Sequence, residues 1–241
     1  MAPENVEYDP RRKAYFATPG FKPRLITPSA RDYLAQLEML QAEQESPFSH
    51  EAFISVPPTF DVVPFPDRVV EPTVLRSISQ AIRERRAVNI LYQSMTRPEP
   101  TYRWISPHAI ASDGFRWHIR AYCHDRNRFG DFVFGRILEI GENRESEINQ
   151  DDDADWMVML ELTIVPNPSL AEAHKRVIEL DYGMKDHQAK LIVRRALTSY
   201  LKKRLGLIKD IAAESSANDQ ASQKLHIVLA SEVDLSSTSY I

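Results

Sequence analysis

Along RWHIRAYC (116–123), apolar and polar side chains alternate: Trp117, Ile119 and Ala121 fall on one side, Arg116, His118, Arg120 and Tyr122 on the other. A period of two is that of a strand, so the pattern predicts one face entering a core and one face gathering cationic and hydrogen-bonding groups. VNILYQS (88–94), YRWISPHAI (102–110), FRWHIRAYC (115–123) and FVFGRILEI (132–140) share this β-branched and aromatic character. Ser112-Asp113-Gly114 supplies a tight turn between the second and third. Four or five short antiparallel strands following one helix predict a small barrel.

That preceding helix is predicted over 73–85, with Val74, Ile78 and Ile82 at helical spacing and Arg83, Glu84, Arg85 and Arg86 at its exit. Nearer the N-terminus, Val6 to Tyr8 and Ala14 to Ala17 read as a hairpin whose tip carries Arg11, Arg12 and Lys13. A helix follows, with Thr27 as N-cap, Pro28 at its first position, and Tyr33, Leu34, Leu37 and Leu40 in register, ending near Gln44. Residues 46–72 are rich in proline, punctuated by Phe48, Phe53, Phe60 and Phe65, as expected of an extended connector pinned by aromatics. On the C-terminal side, GENRESEINQDDDAD (141–155) reads as a solvated acidic linker. Beyond it, a buried strand (156–168), a helix carrying Leu170, Ala173, Val177, Ile178 and Leu180 with Gly183 as its cap, LIV (191–193), a helix from Ala196 to Leu205, and LHIVLA (225–230) alternate as a small α/β domain. The fold class is therefore α+β, with expected segments 1–45, 46–72, 73–145 and 156–241.

Composition narrows the function classes. The net charge of −4 carries no global nucleic-acid signature, so any such contact rests on a local patch. A single cysteine, Cys123, excludes an intramolecular disulfide and fits a packed thiol in a reducing compartment. No run of about 18 apolar residues occurs, so no membrane span is expected and the chain reads as cytoplasmic. Ser94, Ser106, His108, His118 and Asp113 lack the glycine framing of a nucleophile elbow. The histidines lack metal-ligand spacing, the acidic run lacks the glycine and terminal glutamate of a calcium loop, and no glycine-rich phosphate loop is present. Neither an enzyme nor a cofactor is expected.

A binding site on the strands remains. Arg103, His108, Arg116, His118, Arg120, Tyr122, Arg126, Arg128 and Arg136 fall within 34 positions, a locally basic stretch inside an acidic chain. Arginine forks match phosphate or carboxylate, and aromatic rings match bases, so the expected ligand is anionic. The competing reading has about half of these arginines facing water or pairing with Glu139 and Asp131.

LYQS (91–94), RWISPHAI (103–110), RWHIRAYC (116–123) and FVFGRIL (132–138) stand in the order and spacing of the WYL domain of bacterial transcriptional regulators, which this stretch resembles. The Trp-Tyr-Leu triplet is here Trp117-His118-Ile119, a departure shared with the branch that contains repressors of anti-phage defence operons. LTIVPNPSL (162–170) and IELDYGM (178–184) resemble that branch's C-terminal extension. The resemblance implies an Sm-like barrel, a homodimer, and a ligand site at Ser94, His108, Arg116, His118, Arg120, Tyr122 and Arg136. It also implies a winged helix-turn-helix, of which residues 5–18 resemble the wing hairpin and residues 28–44 the following helix. The recognition helix is not found, so a truncated product or a natural short form is expected.

The leading expectation is a dimeric, ligand-responsive transcriptional regulator, a repressor, whose barrel binds a nucleotide or single-stranded nucleic-acid ligand and alters DNA affinity. Arg11, Arg12 and Lys13 would touch DNA phosphate. Two alternatives stand: a small barrel binding single strands through Phe115, Trp117 or Phe134, for which the parity of Trp117 is unfavourable, and a dimerisation module without ligand.

Overall fold

The computed structural model describes residues 5–22, 29–44, 58–64, 66, 68–207 and 225–237. The chain divides into two compact units, Met1–Pro66 and Asp67–Ile241.

In the first unit, β1 (Val6–Asp9) and β2 (Ala14–Ala17) form the expected antiparallel hairpin, registered from Val6↔Ala17 to Asp9↔Ala14. Asp9 Oδ1 accepts the backbone N–H of Arg11 and Arg12 at 2.8 and 3.2 Å, an Asx-type closure that leaves the basic side chains outside. Helix α1 spans Ala30–Gln44. Its first turn is capped by Ser29, whose Oγ accepts the N–H of Asp32 at 3.2 Å. The proposed cap Thr27-Pro28 lies outside the described residues, as do Phe48, Phe53 and Phe65.

The second unit opens with α2 (Pro72–Glu84), one residue earlier than expected because proline occupies the first helical position. Its stripe of Val74, Ile78 and Ala81 is buried. Arg85 ends it in the left-handed region at φ 52°, donating to the carbonyls of Ala81 and Ile82. Strands β3 (Arg86–Tyr92), β4 (Thr101–Ser112), β5 (Trp117–Cys123), β6 (Arg128–Val133) and β7 (Ile137–Glu145) form one antiparallel sheet ordered β6-β5-β4-β3-β7. Ile90, Ile105 and Ile119 meet Ile78 of α2 in its core.

Two expectations about this sheet are corrected. FVFGRILEI is not one strand: Phe134–Arg136 is a 3-10 turn, which separates β6 from β7 and sends them to opposite ends of the sheet. No sheet among the described residues closes into a barrel, so the Sm-like barrel is not formed by strand pairing. Four steps of chain reach at most ~14 Å, whereas five flat strands would hold their outer members ~19 Å apart, so the sheet curls strongly.

The faces of β5 also differ from expectation. Ile119, Ala121 and Cys123 are buried on the α2 side as predicted, but Trp117 is 53% exposed. It sits at the mouth of the β4–β5 turn, opposite Ser112, beyond the reach of the core. His118 and Arg120 do not face solvent; both are buried, covered by residues from the C-terminal half. The acidic segment 141–155, expected as a solvated linker, supplies part of that cover. β7 continues to Glu145, Asn149 caps a 3-10 turn at Gln150–Asp152, and Asp153, 1% exposed, caps the short helix α3 (Ala154–Met157) by accepting from Trp156 N. Trp156 and Met157 are thus helical rather than the start of a strand.

β8 (Met159–Pro166), α4 (Glu172–Asp181), β9 (Ala189–Arg194), α5 (Thr198–Arg204) and β10 (Ile227–Asp234) follow in the alternation read from the sequence, with sheet order β10-β8-β9, wholly antiparallel. Ile164, Ile178 and Ile227 centre its core. Gly183 takes φ 57° just beyond α4, as its cap role requires. Of the apolar residues expected to line α4, Ile178 is buried while Val177 and Leu180 are exposed, the latter by 81%.

Candidate functional site

Two adjoining features of the second unit gather the polar residues of the sheet: a buried ion-pair network and a cavity walled by arginines.

The network centres on Arg120. Its position on β5, opposite in parity to the core residues Ile119 and Ala121, points the guanidinium at the 150s segment. Nε and Nη2 grip Asp153 as a fork, at 2.7 and 2.8 Å, and Nη1 donates to Asp131 Oδ1 at 3.1 Å. Burial opposes the charged form of Arg120, yet the two carboxylates hold its pKa above the ordinary value. Asp153 mirrors this: burial would raise its pKa, but Arg120, His108 and the Trp156 N–H together depress it. His108 Nε2 lies 2.9 Å from Asp153 Oδ2, with the rings of Phe129 and Trp156 edge-on to it. Burial, partly offset by Asp153, lowers the His108 pKa. The buried imidazole is therefore harder to charge than a free one.

Asp131 Oδ2 accepts the Tyr200 hydroxyl at 2.9 Å, carrying the network from β6 to α5. Burial and the Asp131 charge push the Tyr200 phenol up. The Tyr200 ring lies 4.8 Å from that of His118, whose Nε2 is 3.0 Å from Asp113 Oδ2. Asp113 organises the Ser112-Asp113-Gly114 turn by accepting the N–H of Phe115 and Arg116, both at 2.7 Å. Burial notwithstanding, His118 and these two donors keep its pKa below the usual carboxylate range.

On the far side of Asp131 lies a cavity of about 250 Å³. Arg103 from β4, Arg126 and Arg128 around the β5–β6 turn, and Arg136 of the 3-10 turn line it, together with Ser94, Thr96 and Tyr92. Asn127 at φ 47° makes the turn that sets Arg126 and Arg128. Gln93 fixes the opposite rim: its N–H donates to Arg136 O at 2.9 Å and its amide to Arg97 O at 2.9 Å. Arg103 is 4% exposed. Its Nε reaches Thr101 Oγ1 at 3.2 Å and its guanidinium lies over the Tyr92 ring, but Nη2 is buried without a hydrogen-bond partner. A buried charged donor left unsatisfied costs stability. Asp131 is the one carboxylate in this wall, and it is already bonded to Arg120 and Tyr200.

The structure distributes the seven sequence-derived ligand residues rather than uniting them. Ser94 and Arg136 line the arginine cavity. Arg120 and His108 belong to the ion-pair network; His108 also borders a second cavity, of about 450 Å³, between α2 and residues 146–151. His118 is committed to Asp113, and Arg116 Nε stands 3.5 Å from the same carboxylate. Tyr122 is half-buried, its ring between His124 and Phe129 and its hydroxyl 3.5 Å from Asn127. Arg11, Arg12 and Lys13 sit exposed at the hairpin tip, with Arg12 over Phe16 and 3.8 Å from Asp9.

Asp153 and Tyr200 are the principal residues that the sequence reading omits, whereas Arg103 stands in the basic stretch it names but outside the seven ligand residues implied by the resemblance. Arg103 had a readable signal: it shares strand parity with the core residue Ile105, so an arginine stood on the inward side of β4. Asp153 precedes Trp156 by three positions, the spacing of an N-cap, but is masked by neighbouring aspartates. Nothing local marks Tyr200, which meets the network only through tertiary packing.

Comparison with known proteins places these features. Residues 1–39 match the winged helix-turn-helix domain of the BrxR transcriptional regulator, 73–141 the WYL domain, and 159–233 the BrxR C-terminal dimerization domain. The DNA-binding transcriptional repressor CapW of Stenotrophomonas maltophilia is 38% identical over 220 residues, 89% of this chain and 73% of that protein. CapW of Escherichia coli (strain KTE188) is 33% identical over 95% of this chain and 74% of that protein, and CapW of Pseudomonas aeruginosa 35% identical over 88% and 70%. The solved structure of proteasome accessory factor B/C of Arthrobacter aurescens aligns with 56% of this chain and 23% of its own, at 21% identity and a TM-score of 0.31. No helix among the described residues is long and apolar enough to cross a membrane. By identities of this level over more than two thirds of each relative, the chain belongs to the family of CapW DNA-binding transcriptional repressors, which are regulators and not enzymes.

Proposed function

We propose that this chain is a homodimeric, DNA-binding repressor whose WYL domain binds an anionic, nucleic-acid-like ligand in the arginine cavity and thereby changes its affinity for DNA. The observation that supports this reading is a cavity lined by Arg103, Arg126, Arg128 and Arg136 with a single, already engaged carboxylate; one of these arginines, Arg103, has an unpartnered Nη2. Of the residues derived from the sequence, Ser94 and Arg136 act directly on the ligand. Arg120, His108, His118, Arg116 and Tyr122 shape the surrounding scaffold. Arg11, Arg12 and Lys13 meet DNA phosphate rather than bases.

A short single-stranded oligodeoxynucleotide and inorganic pyrophosphate, titrated separately by calorimetry, test the cavity. Both bind the unaltered chain and lose most of their affinity in Arg128→Ala/Arg136→Ala. Unchanged binding in that variant removes the cavity from the reading. A second reading is favoured by the exposure of Trp117 and Phe115 beside the Arg204 guanidinium, which lies 5.9 Å over the Phe115 ring: single strands stack on that surface instead. It predicts oligonucleotide binding that survives the double arginine variant and falls with Trp117→Ala.

A further inference from the structure

The C-terminal domain presents one helix face that its own fold leaves uncovered. α4 (Glu172–Asp181) buries a single residue, Ile178, against its sheet. Ala173, Val177 and Leu180 follow the i, i+4, i+7 spacing of a second apolar stripe, turned away from Ile178. That stripe is open: Val177 is 55% exposed and Leu180 81%.

Charge divides the same helix into two halves. His174, Lys175 and Arg176 lie in the first, Glu179 and Asp181 in the second, and no basic residue occupies the last turn. That order opposes the helix macrodipole, which favours acids near the N-terminus and bases near the C-terminus. Glu172 alone follows the rule, and Lys175 binds it at 2.8 Å. Glu179 lies 2.7 Å from His187, whereas His174, Arg176 and Asp181 make no hydrogen bond or ion pair among the described residues. The stability of the helix by itself therefore does not account for the pattern. A second helix laid against it does.

We propose that α4 is the centre of a twofold interface with a second copy of this chain, in which the two helices run antiparallel and their Val177–Leu180 stripes cover each other. This rests on the homodimer reading given above and names the surface it uses. With the axis beside Val177, Arg176 stands level with Glu179 of the second copy and His174 level with its Asp181. Symmetry forms each pair twice. A parallel arrangement would instead set like charges side by side and align the two dipoles. Residues 159–233 match a dimerization domain, so α4 lies within the segment that a second copy engages. Ile192 of the edge strand β9 is also open, at 64%, but it stands between Lys190 and Arg194 on its face and offers no opposite charge to a copy of itself.

Sedimentation of the full, fluorescently labelled chain over a wide range of concentrations provides the test. Leu180→Asp alters a side chain that the monomer leaves open, and the dissociation constant of the dimer rises on the order of 100-fold, because a leucine is lost from both sides of the contact. Arg176→Glu and Glu179→Arg each bring like charges together twice and weaken self-association on the order of 10-fold. Mixed with each other, these two single variants recover a dimer containing one copy of each, since opposite charges again face at both pairs. A helix disturbed only within itself is not repaired by a second copy. An unchanged dissociation constant in Leu180→Asp, charge reversals without effect, or mixing that fails to recover the dimer overturns the α4 interface and leaves the homodimer standing. An unaltered chain that stays monomeric throughout overturns both.

Discussion

Replacing Asp153 with alanine removes the carboxylate on which three groups converge. Arg120 loses a two-point fork at 2.7 and 2.8 Å, His108 Nε2 loses its partner at 2.9 Å, and α3 loses its cap. Truncating one member of a buried pair costs ~3–5 kcal/mol, because the other charge remains buried. The lower end applies, since Arg120 keeps Asp131 at 3.1 Å. Loss of the cap adds ~1 kcal/mol, for a total of about 4 kcal/mol. Urea unfolding of the second unit measures it: with an m-value of ~2 kcal/mol/M, the midpoint falls by about 2 M at unchanged slope. The companion double variant Arg120→Leu/Asp153→Leu is less destabilised than Asp153→Ala, since no orphaned charge is left. A midpoint shift below ~0.25 M, within ordinary surface-mutation range at that m-value, would refute the claim that the acidic segment is a structural strap.

Further outcomes follow from the same geometry. The depressed pKa of His108 means the unfolded chain binds its proton first, so its contribution is complete above ~6.5 and is lost as pH falls through the lower folded value; thermal scans between pH 7 and 5 show the decline, and His108→Gln flattens it. Ile119→Ala, at a fully buried position between α2 and the sheet, costs ~2–5 kcal/mol in urea unfolding, whereas Trp117→Ala costs far less than a buried tryptophan would. For a DNA duplex that the chain binds, replacing Arg11, Arg12 and Lys13 together by alanine reduces the slope of log affinity against log salt by ~2–3, measured by fluorescence anisotropy; an unchanged slope removes the hairpin tip from the DNA contact.

Local rules explain why much of this architecture was legible. Period-two runs located the central strands, helical spacing located α2 and α4, with Gly183 closing α4 although Leu170 lies before its start at Glu172, and Ser112-Asp113-Gly114 made its turn. Ser94 and Arg136 line one cavity because Ser94 lies just past the end of β3 and Arg136 in the turn before β7, two segments joined by the Gln93 N–H to the Arg136 carbonyl. What failed was the inference from parity to exposure. The alternation in RWHIRAYC identified two faces, but the second face of β5 is covered by residues 33 to 82 positions downstream, and no local pattern reports that. Trp117 failed in the opposite sense: its parity is apolar, yet the strand begins there and on that face the core begins two residues later, at Ile119. The aspartates of 151–155 share a composition typical of solvated linkers, although one of them is among the most buried side chains of the protein. Composition averages over neighbours, whereas burial is decided residue by residue.

The three-residue turn at Phe134–Arg136 bears on solubility as well as on shape. By drawing the first and last strands of the sheet toward each other, it denies them the long flat outline on which foreign chains polymerise as added strands. β7 reinforces this with Glu142, Arg144 and Glu145 along its outer stretch. A WYL domain curled in this way does not offer its sheet as a template for aggregation, leaving encounters between copies of the chain to other surfaces.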